Sequence, residues 1–356
     1  MTLDRKSRPL VVRFGAMGDM VLLTVLIRAL YARFGQPVDV VGSGSWTRPL
    51  LEGQPGVGHL FVIWSRRSPY SLSAEQRHLV GLLRERGPGP AWVYESDDAK
   101  PSWLLQRAGF SAGLISRSSD YPRRPGEHFA DRWLRFAAST PRDLQTAPPL
   151  VLAAAAPYSQ LEVSTRARAQ LDPWLRERGL AGRPLILVQA GNKRTMRIGP
   201  RRRASNTKYW PEDRWSAVLR GLRAFHPQHA LLLLGVPREA RLNEEVMRHA
   251  AVSDLHNVAD DLPIPRLLAL AERATGLISV DSGPAHAAAA VGCSVVVLFG
   301  RAEIAQYAPR GPNATVRSLA GLVDGEQSIL GINAEQVLAT WQELMTVTSG
   351  RPTGTR

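Results

Sequence analysis

Asp281-Ser282-Gly283-Pro284-Ala285-His286 is the stretch whose residue types and spacing point most directly to chemistry. An apolar run over residues 276–280 reads as a strand that delivers the chain to Asp281. Ser282 and Gly283 turn it, and Pro284 suits the first turn of a helix over 284–291. Backbone N–H groups at a helix start have no intrahelical acceptor. Beside a Ser hydroxyl, and a Gly that permits close approach, they form an anion site. A diphosphate is a natural occupant, and His286 in the first turn reaches a phosphate or ribose oxygen. The simpler reading makes Asp281 or Ser282 an ordinary N-cap. That accounts for one residue, but not for a strand end, Gly, Pro and His together. A second concentration lies over residues 191–210: Lys193, Arg194, Arg197, Arg201, Arg202, Arg203 and Lys208, with no acid among them. Taken alone, it reads as a solvated basic loop.

The elements that must position these residues follow a repeated pattern. Residues 10–14 (LVVRF) read as a buried strand, 15–19 as a Gly-containing turn, 20–34 as a helix and 38–41 as a second strand. That order is a βαβ unit, which implies a parallel sheet and a right-handed crossover. Strands at 60–63 and 91–95 and helices at 74–86 and 102–108 continue it. The composition then changes, and Pro-rich 141–149 and a turn at 179–184 bracket a domain boundary within residues 141–183. The alternation restarts with strands at 185–189, 230–234, 276–280 and 294–299. Helices fall at 211–225, 238–251, 267–274, 284–291 and 334–345, and another at 165–178 precedes the restart. Two parallel α/β halves imply a cleft between domains, with ligands outside the carboxyl ends of the strands. The expected division is residues 1–165 and 166–356.

Composition excludes several classes. The 356 residues are 44% hydrophobic, so packed cores are expected, with frayed ends. The one cysteine, Cys293, sits in an apolar run and reads as a small core residue; no disulfide framework is possible within the chain. No secretory signal pattern opens the sequence, and no apolar run reaches the roughly 18 residues of a membrane span. A soluble, cytoplasmic protein is expected. The net charge of +14 favours anionic partners without choosing among nucleic acid, lipid headgroups and phosphorylated substrates.

The stretch DSGPAHAAAAVG followed by SVVVLFG resembles the nucleotide-binding signature of the heptosyltransferase family, the bacterial glycosyltransferases that extend the lipopolysaccharide inner core. RFGAMGDMVLLTVLIRAL is similar to that family's opening, where Gly-Asp follows the first strand. Lys208-Tyr209-Trp210-Pro211, with Arg214 and Trp215 after it, matches a third element. Residues 111–182 are much less diagnostic. The resemblance implies a GT-B fold, two Rossmann-like parallel-sheet domains facing a central cleft, with the acceptor in the first domain and the donor in the second. It implies inverting, metal-independent transfer of a sugar, heptose in most of the family, from an ADP-sugar to a lipopolysaccharide core or related glycan.

Carried onto this sequence, the resemblance makes Asp19 the general base and Lys208 the lysine on the donor phosphate. Asp281, Ser282, Gly283 and His286 become the donor loop. Ala190 and Gly191 stand where the family often has hydroxyl residues, so backbone N–H groups would serve there. Glu239 matches an acid that contacts the nucleoside or ribose, and Leu262 an apolar residue against adenine. The chemistry agrees. Inversion needs a base on the acceptor hydroxyl while the sugar–phosphate bond breaks on the opposite face. A carboxylate at a strand-to-helix turn suits that task, although Asp19 also reads as the N-cap of the helix at Met20. Lys208 and a helix start offset the charge growing on the leaving diphosphate without Mg²⁺. Asp97-Asp98 and Asp260-Asp261 are adjacent pairs and read as turn residues rather than a metal-holding Asp-x-Asp. No cofactor or metal is expected. Arg66, Arg67 and Lys100 follow strand ends and would bind an anionic glycolipid acceptor. Residues 193–203 would close on the diphosphate or touch an anionic inner leaflet, giving a peripheral contact with the cytoplasmic face of the inner membrane.

Three other readings carry different signals. A dinucleotide-dependent oxidoreductase needs G-x-G-x-x-G after the first strand, and Gly15-Ala16-Met17-Gly18-Asp19 lacks that spacing. A nucleic-acid-binding protein would rest on charge alone, with no zinc-finger, RRM or KH signature, and nucleic acid is not an expected partner. A non-catalytic nucleotide-sugar-binding relative has no need of Asp19.

Overall fold

The computed structural model describes residues 8–65, 68–144, 147–150, 156–192 and 206–349. The chain divides into two units, Met1–Glu162 and Val163–Arg356.

The first unit is built around strands that are apolar on both faces, as a sheet covered by helices on each side requires. Its elements are β1 (Leu10–Arg13), α1 (Met17–Phe34), β2 (Val38–Ser43), α2 (Thr47–Leu51), β3 (Val57–Ile63), α3 (Ala74–Arg86), β4 (Ala91–Val93), α4 (Ala99–Arg107), β5 (Ile115–Arg117) and α5 (Phe129–Ala137). The sheet is parallel throughout, in the order β3-β2-β1-β4-β5. From β1 the chain first builds outward through β2 and β3, then crosses back to β4. The strand order therefore reverses between β1 and β4, the position at which open α/β sheets characteristically bind ligands beyond the strand carboxyl ends. Helix α1 is buried along most of its length and ends at Gly35, whose φ of 65° lets its N–H close on the Tyr31 carbonyl. It starts at Met17, three residues before the expected position, so Asp19 lies inside its first turn.

The second unit comprises α6 (Thr165–Glu177), β6 (Leu185–Gln189), α7 (Glu212–Phe225), β7 (Ala230–Leu233), α8 (Ala240–Ala250), β8 (Leu255–Asn257), α9 (Ile264–Arg273), β9 (Gly276–Val280), α10 (Gly283–Ala290), β10 (Val295–Phe299), α11 (Ile304–Tyr307), β11 (Val316–Val323), β12 (Glu326–Ser328) and α12 (Ala334–Ser349). The strand order is β12-β11-β10-β9-β6-β7-β8, parallel except for the β11–β12 pair. Its reversal point lies between β6 and β9. The β11–β12 hairpin turns on Asp324-Gly325, both at positive φ (52° and 80°), the backbone of a two-residue type I′ turn. The sequence carries that Asp-Gly signal, but the flanking residues show no clear strand pattern.

Trp210, Trp215 and Trp341 are fully buried in the second core, the first two edge to face at 4.9 Å between ring centroids. The Trp210 indole N–H donates to the Ile332 carbonyl at 3.1 Å, tying the Trp-Pro segment to the turn that leads into α12. Replacing either Trp210 or Trp215 by Ala would cost about 3–5 kcal/mol. Pro211 is the N-cap of α7 rather than its first helical residue. Five of the eight residues of α10 are alanine, and the helix is wholly buried after Pro284, so it lies close against the sheet. Cys293 is buried, as its setting in the sequence suggested, and its thiol donates to the Ser294 carbonyl at 3.5 Å. Among the described residues, no helix is long and apolar enough to cross a membrane.

Candidate active site

In the second unit the chemistry gathers where β6 and β9 end side by side. Asp281 follows β9 directly, held by its N–H on the Leu298 carbonyl at 2.9 Å. Its carboxylate is 8% exposed and takes the Lys208 ammonium at 2.5 Å on Oδ2, with His286 Nε2 4.0 Å from Oδ1. Lys208 is 33% exposed, so its ammonium is anchored by Asp281 yet reachable from outside. Ser282 is the N-cap of α10 by backbone position, and its hydroxyl makes no cap hydrogen bond. It lies instead 3.0 Å from Ser279 Oγ, whose own hydroxyl bonds the Val280 carbonyl at 2.6 Å. The ordinary-cap reading of Ser282 is therefore not what is found. The helix start has no side-chain cap, and a cation stands beside it.

Several backbone devices place Lys208. Gly300, the first residue past β10, backs onto the Thr207 carbonyl so closely that a Cβ would collide with it. Asn192 Nδ2 donates to the Lys208 carbonyl at 3.3 Å, Asn206 Nδ2 to Asn192 Oδ1 at 3.3 Å, and the Lys208 N–H to Asn206 Oδ1 at 3.2 Å. Sequence reading missed Asn192, Asn206 and Gly300. Their signal was weak: two ordinary-looking asparagines flanking a basic run, and one glycine among 30.

Ala190 and Gly191 are buried at the end of β6. A Cβ on Gly191 would lie 2.5 Å from Glu239 Oε1, so that glycine is what admits the Glu239 carboxylate. Glu239 is itself buried; it accepts the Val236 N–H at 3.0 Å and lies 3.5 Å from Gln189 Nε2. The ends of β6 and β7 thus bring Gly191 and Glu239 together. Leu262 is half-buried just after the 3-10 turn Ala259–Asp261 at the end of β8. Asp261 is held by the Trp174 indole at 2.7 Å and by Arg178 and Arg266, so this member of the acidic pair is a structural turn residue.

In the first unit Asp19 is the third residue of α1. Its Oδ2 accepts the Ala16 N–H at 2.8 Å, capping the helix from inside, and its Oδ1 takes Arg13 Nη2 at 2.7 Å. Each carboxylate oxygen has a second lone pair, and the side chain is 34% exposed, so capping leaves it able to accept a further hydrogen bond. Gly15 makes the arrangement possible, because a Cβ there would collide with that of Asp19. Lys100 falls in the first turn of α4, and its ammonium donates to the Ser68 carbonyl at 2.6 Å. Arg66, Arg67 and the basic residues 193–203 lie outside the described residues. Among the described residues no three His, Cys, Asp or Glu side chains gather as a metal site.

The model of glycosyltransferase family 9 (heptosyltransferase) matches residues 100–325. Lipopolysaccharide heptosyltransferase 2 of Salmonella typhimurium is 24% identical over 302 residues, covering 80% of each chain. Among solved structures, E. coli ADP-heptose LPS heptosyltransferase II aligns with a TM-score of 0.70 at 21% identity, over 96% of this chain and all of that one. A family 9 glycosyltransferase from Veillonella parvula aligns at 0.74 and 18% identity, over 98% and 99%. The shared fold, two parallel-sheet α/β domains of GT-B type, is the class that the sequence implied. The chain belongs to glycosyltransferase family 9, the heptosyltransferases, and is a glycosyltransferase.

Proposed function

We propose that this enzyme transfers a heptose from an ADP-sugar to a lipopolysaccharide core acceptor, with inversion and without a metal ion. The observation that carries this reading is Lys208 paired with Asp281 at the uncapped start of α10, on the reversal point between β6 and β9. A partly exposed ammonium beside a helix start that has no side-chain cap fits a diphosphate leaving group, whose charge grows as its bond to the sugar breaks. The second unit takes the donor: Ala190 and Gly191 through backbone N–H groups, Glu239 on the ribose, Leu262 against adenine, and Asp281, Ser282, Gly283 and His286 at the diphosphate end. The first unit supplies Asp19 as general base. Its carboxylate accepts the proton of an acceptor hydroxyl, the freed oxygen attacks the anomeric carbon, and the sugar–phosphate bond breaks on the opposite face, releasing ADP. Lys100, with Arg66 and Arg67, is assigned to the anionic acceptor, which the enzyme meets at the cytoplasmic face of the inner membrane.

A thermal-shift panel of ADP-, UDP- and GDP-sugars, with and without EDTA, tests the reading. A ligand that binds only the folded state stabilises it by about 2.7 kcal/mol at a hundred times its Kd. ADP-heptose is expected to raise Tm equally with and without EDTA, and the other two nucleotides to raise it little. A strict metal requirement for transfer would sink the mechanism.

A further inference from the structure

The reversal point of the first unit carries a second carboxylate that the proposed mechanism leaves without a part. Arg13 is the last residue of β1, and Glu95 lies just beyond its neighbour β4. Arg13 Nη1 is 3.5 Å from Glu95 Oε1 and 3.3 Å from the Tyr94 carbonyl, while Nη2 holds Asp19 at 2.7 Å. Glu95 also accepts the Phe14 N–H, and its backbone is fixed by a two-way exchange with the Ser118 hydroxyl, at 3.2 and 2.9 Å. The guanidinium further lies over the Tyr94 ring, 5.4 Å from its centroid. Two carboxylates from different strand ends thus share one arginine.

Exposure separates their tasks. Asp19 is 34% exposed, whereas Arg13 and Glu95 are both 13% exposed. A substrate hydroxyl reaches Asp19, not Glu95. Asp19 is held at two points: the Ala16 N–H fixes Oδ2 and Arg13 fixes Oδ1. With only the first of these, its carboxylate rotates about the Cβ–Cγ bond, a broad, soft torsion. We infer that Arg13, clamped by Glu95, is a positioning residue that locks the Asp19 carboxylate with its remaining lone pairs turned outward to the acceptor hydroxyl. Glu95 acts through Arg13, and neither exchanges a proton with substrate. Reaction geometry is sensitive to such locking, since a misplacement of about 1 Å can cost about 10²-fold in rate.

This rests on Asp19 as the general base, so the test carries Asp19→Ala beside Arg13→Met, Arg13→Lys and Glu95→Gln in the full-length protein. Each is assayed with ADP-heptose and lipopolysaccharide truncated before the transferred residue, and ADP binding is measured by calorimetry. Arg13→Met is expected to lower kcat about 10²-fold and Glu95→Gln about tenfold, with acceptor KM within about threefold and ADP affinity unchanged. Arg13→Lys restores part of the loss, because the charge remains but the two-pronged grip does not. If Arg13→Met fails to fold, Glu95→Gln and Arg13→Lys decide the matter in the same assay. Wild-type kcat in Glu95→Gln and in the Arg13 variants, with Asp19→Ala inactive, overturns the positioning role and leaves the general base standing. A loss carried by acceptor KM assigns Arg13 to the acceptor anion and overturns it as well. Activity retained in Asp19→Ala removes the base, and the positioning role with it.

Discussion

After β1, helix α1 starts beneath its own carboxylate: Asp19 caps the Ala16 N–H and is matched by Arg13. After β9, helix α10 starts on Ser282 with no side-chain cap, and the nearest carboxylate, Asp281, is tied to Lys208. Both helices begin at the reversal point of a parallel sheet, where free N–H groups and the helix dipole favour negative charge. In the first unit the protein supplies that negative charge itself, through the Asp19 carboxylate on the Ala16 N–H. In the second the charge is left for a ligand to bring, and a lysine waits beside it. On the proposed mechanism, the same local architecture would serve proton abstraction in one unit and leaving-group stabilisation in the other, according to where the carboxylate is placed.

Asp19 and Lys208 put this division to its hardest test. Asp19→Ala is expected to lower transfer by about 10²–10⁴-fold, the usual contribution of a general base, while ADP affinity by calorimetry stays near wild type. Lys208→Ala should lower transfer by about 10²–10³-fold and weaken ADP binding as well, since its ammonium serves the diphosphate in both ground and transition states. If Asp19→Ala weakens ADP binding as much as Lys208→Ala does, the division between the two helix starts is wrong.

Gly300→Ala probes the backbone behind the lysine. Its Cβ would push the Thr207 carbonyl away and displace Lys208. A loss of about tenfold in kcat/KM is expected together with a lower Tm, since the atom that must move is backbone, and wild-type kinetics would show that Gly300 does not set the lysine's position.

The smallest effect on activity belongs to the opposite, amino-terminal end of the second sheet. There Asp254 is paired with Arg183 and hydrogen-bonded by His256 at 2.9 Å. Burial alone would push the Asp254 carboxyl up, but the hydrogen bonds from Arg183 and His256 outweigh it and hold it below the usual carboxylate value. A depressed carboxylate stabilises the fold above its unfolded value, about 3.9, and that stability is lost as pH falls through the folded one. Asp254→Asn should therefore lower Tm at pH 7, with the gap to wild type closing below about pH 4, and leave transfer unchanged. Lost transfer at unchanged Tm would place function at that end too.

Much of the second site was legible because one continuous segment carries it. Strand β9, the turn at Asp281 and Ser282, and helix α10 are consecutive, so apolar runs broken by Gly and Pro gave their order directly. The short strands β5 and β8 were not legible, since three residues each are too few for a period. Helix α1 was expected to begin at Met20 because Asp19 looked like a cap; the carboxylate caps backward instead, and the helix gains a turn. The clamp on Asp19 was hidden more deeply. Arg13 and Glu95 are 82 positions apart, and their types say nothing of a meeting.

The sequence by itself determined the alternation of strands and helices and the family, and it named the candidate site residues, because apolar period, turn chemistry and motif spacing are local properties of the chain. Only the tertiary structure decided which strand ends lie side by side. Strand order sets β1 against β4 and β6 against β9, and so it brings Glu95 to Arg13 and seats Lys208 on Asp281. Those meetings depend on how crossovers pack over a sheet, a property of the whole core that no single segment encodes.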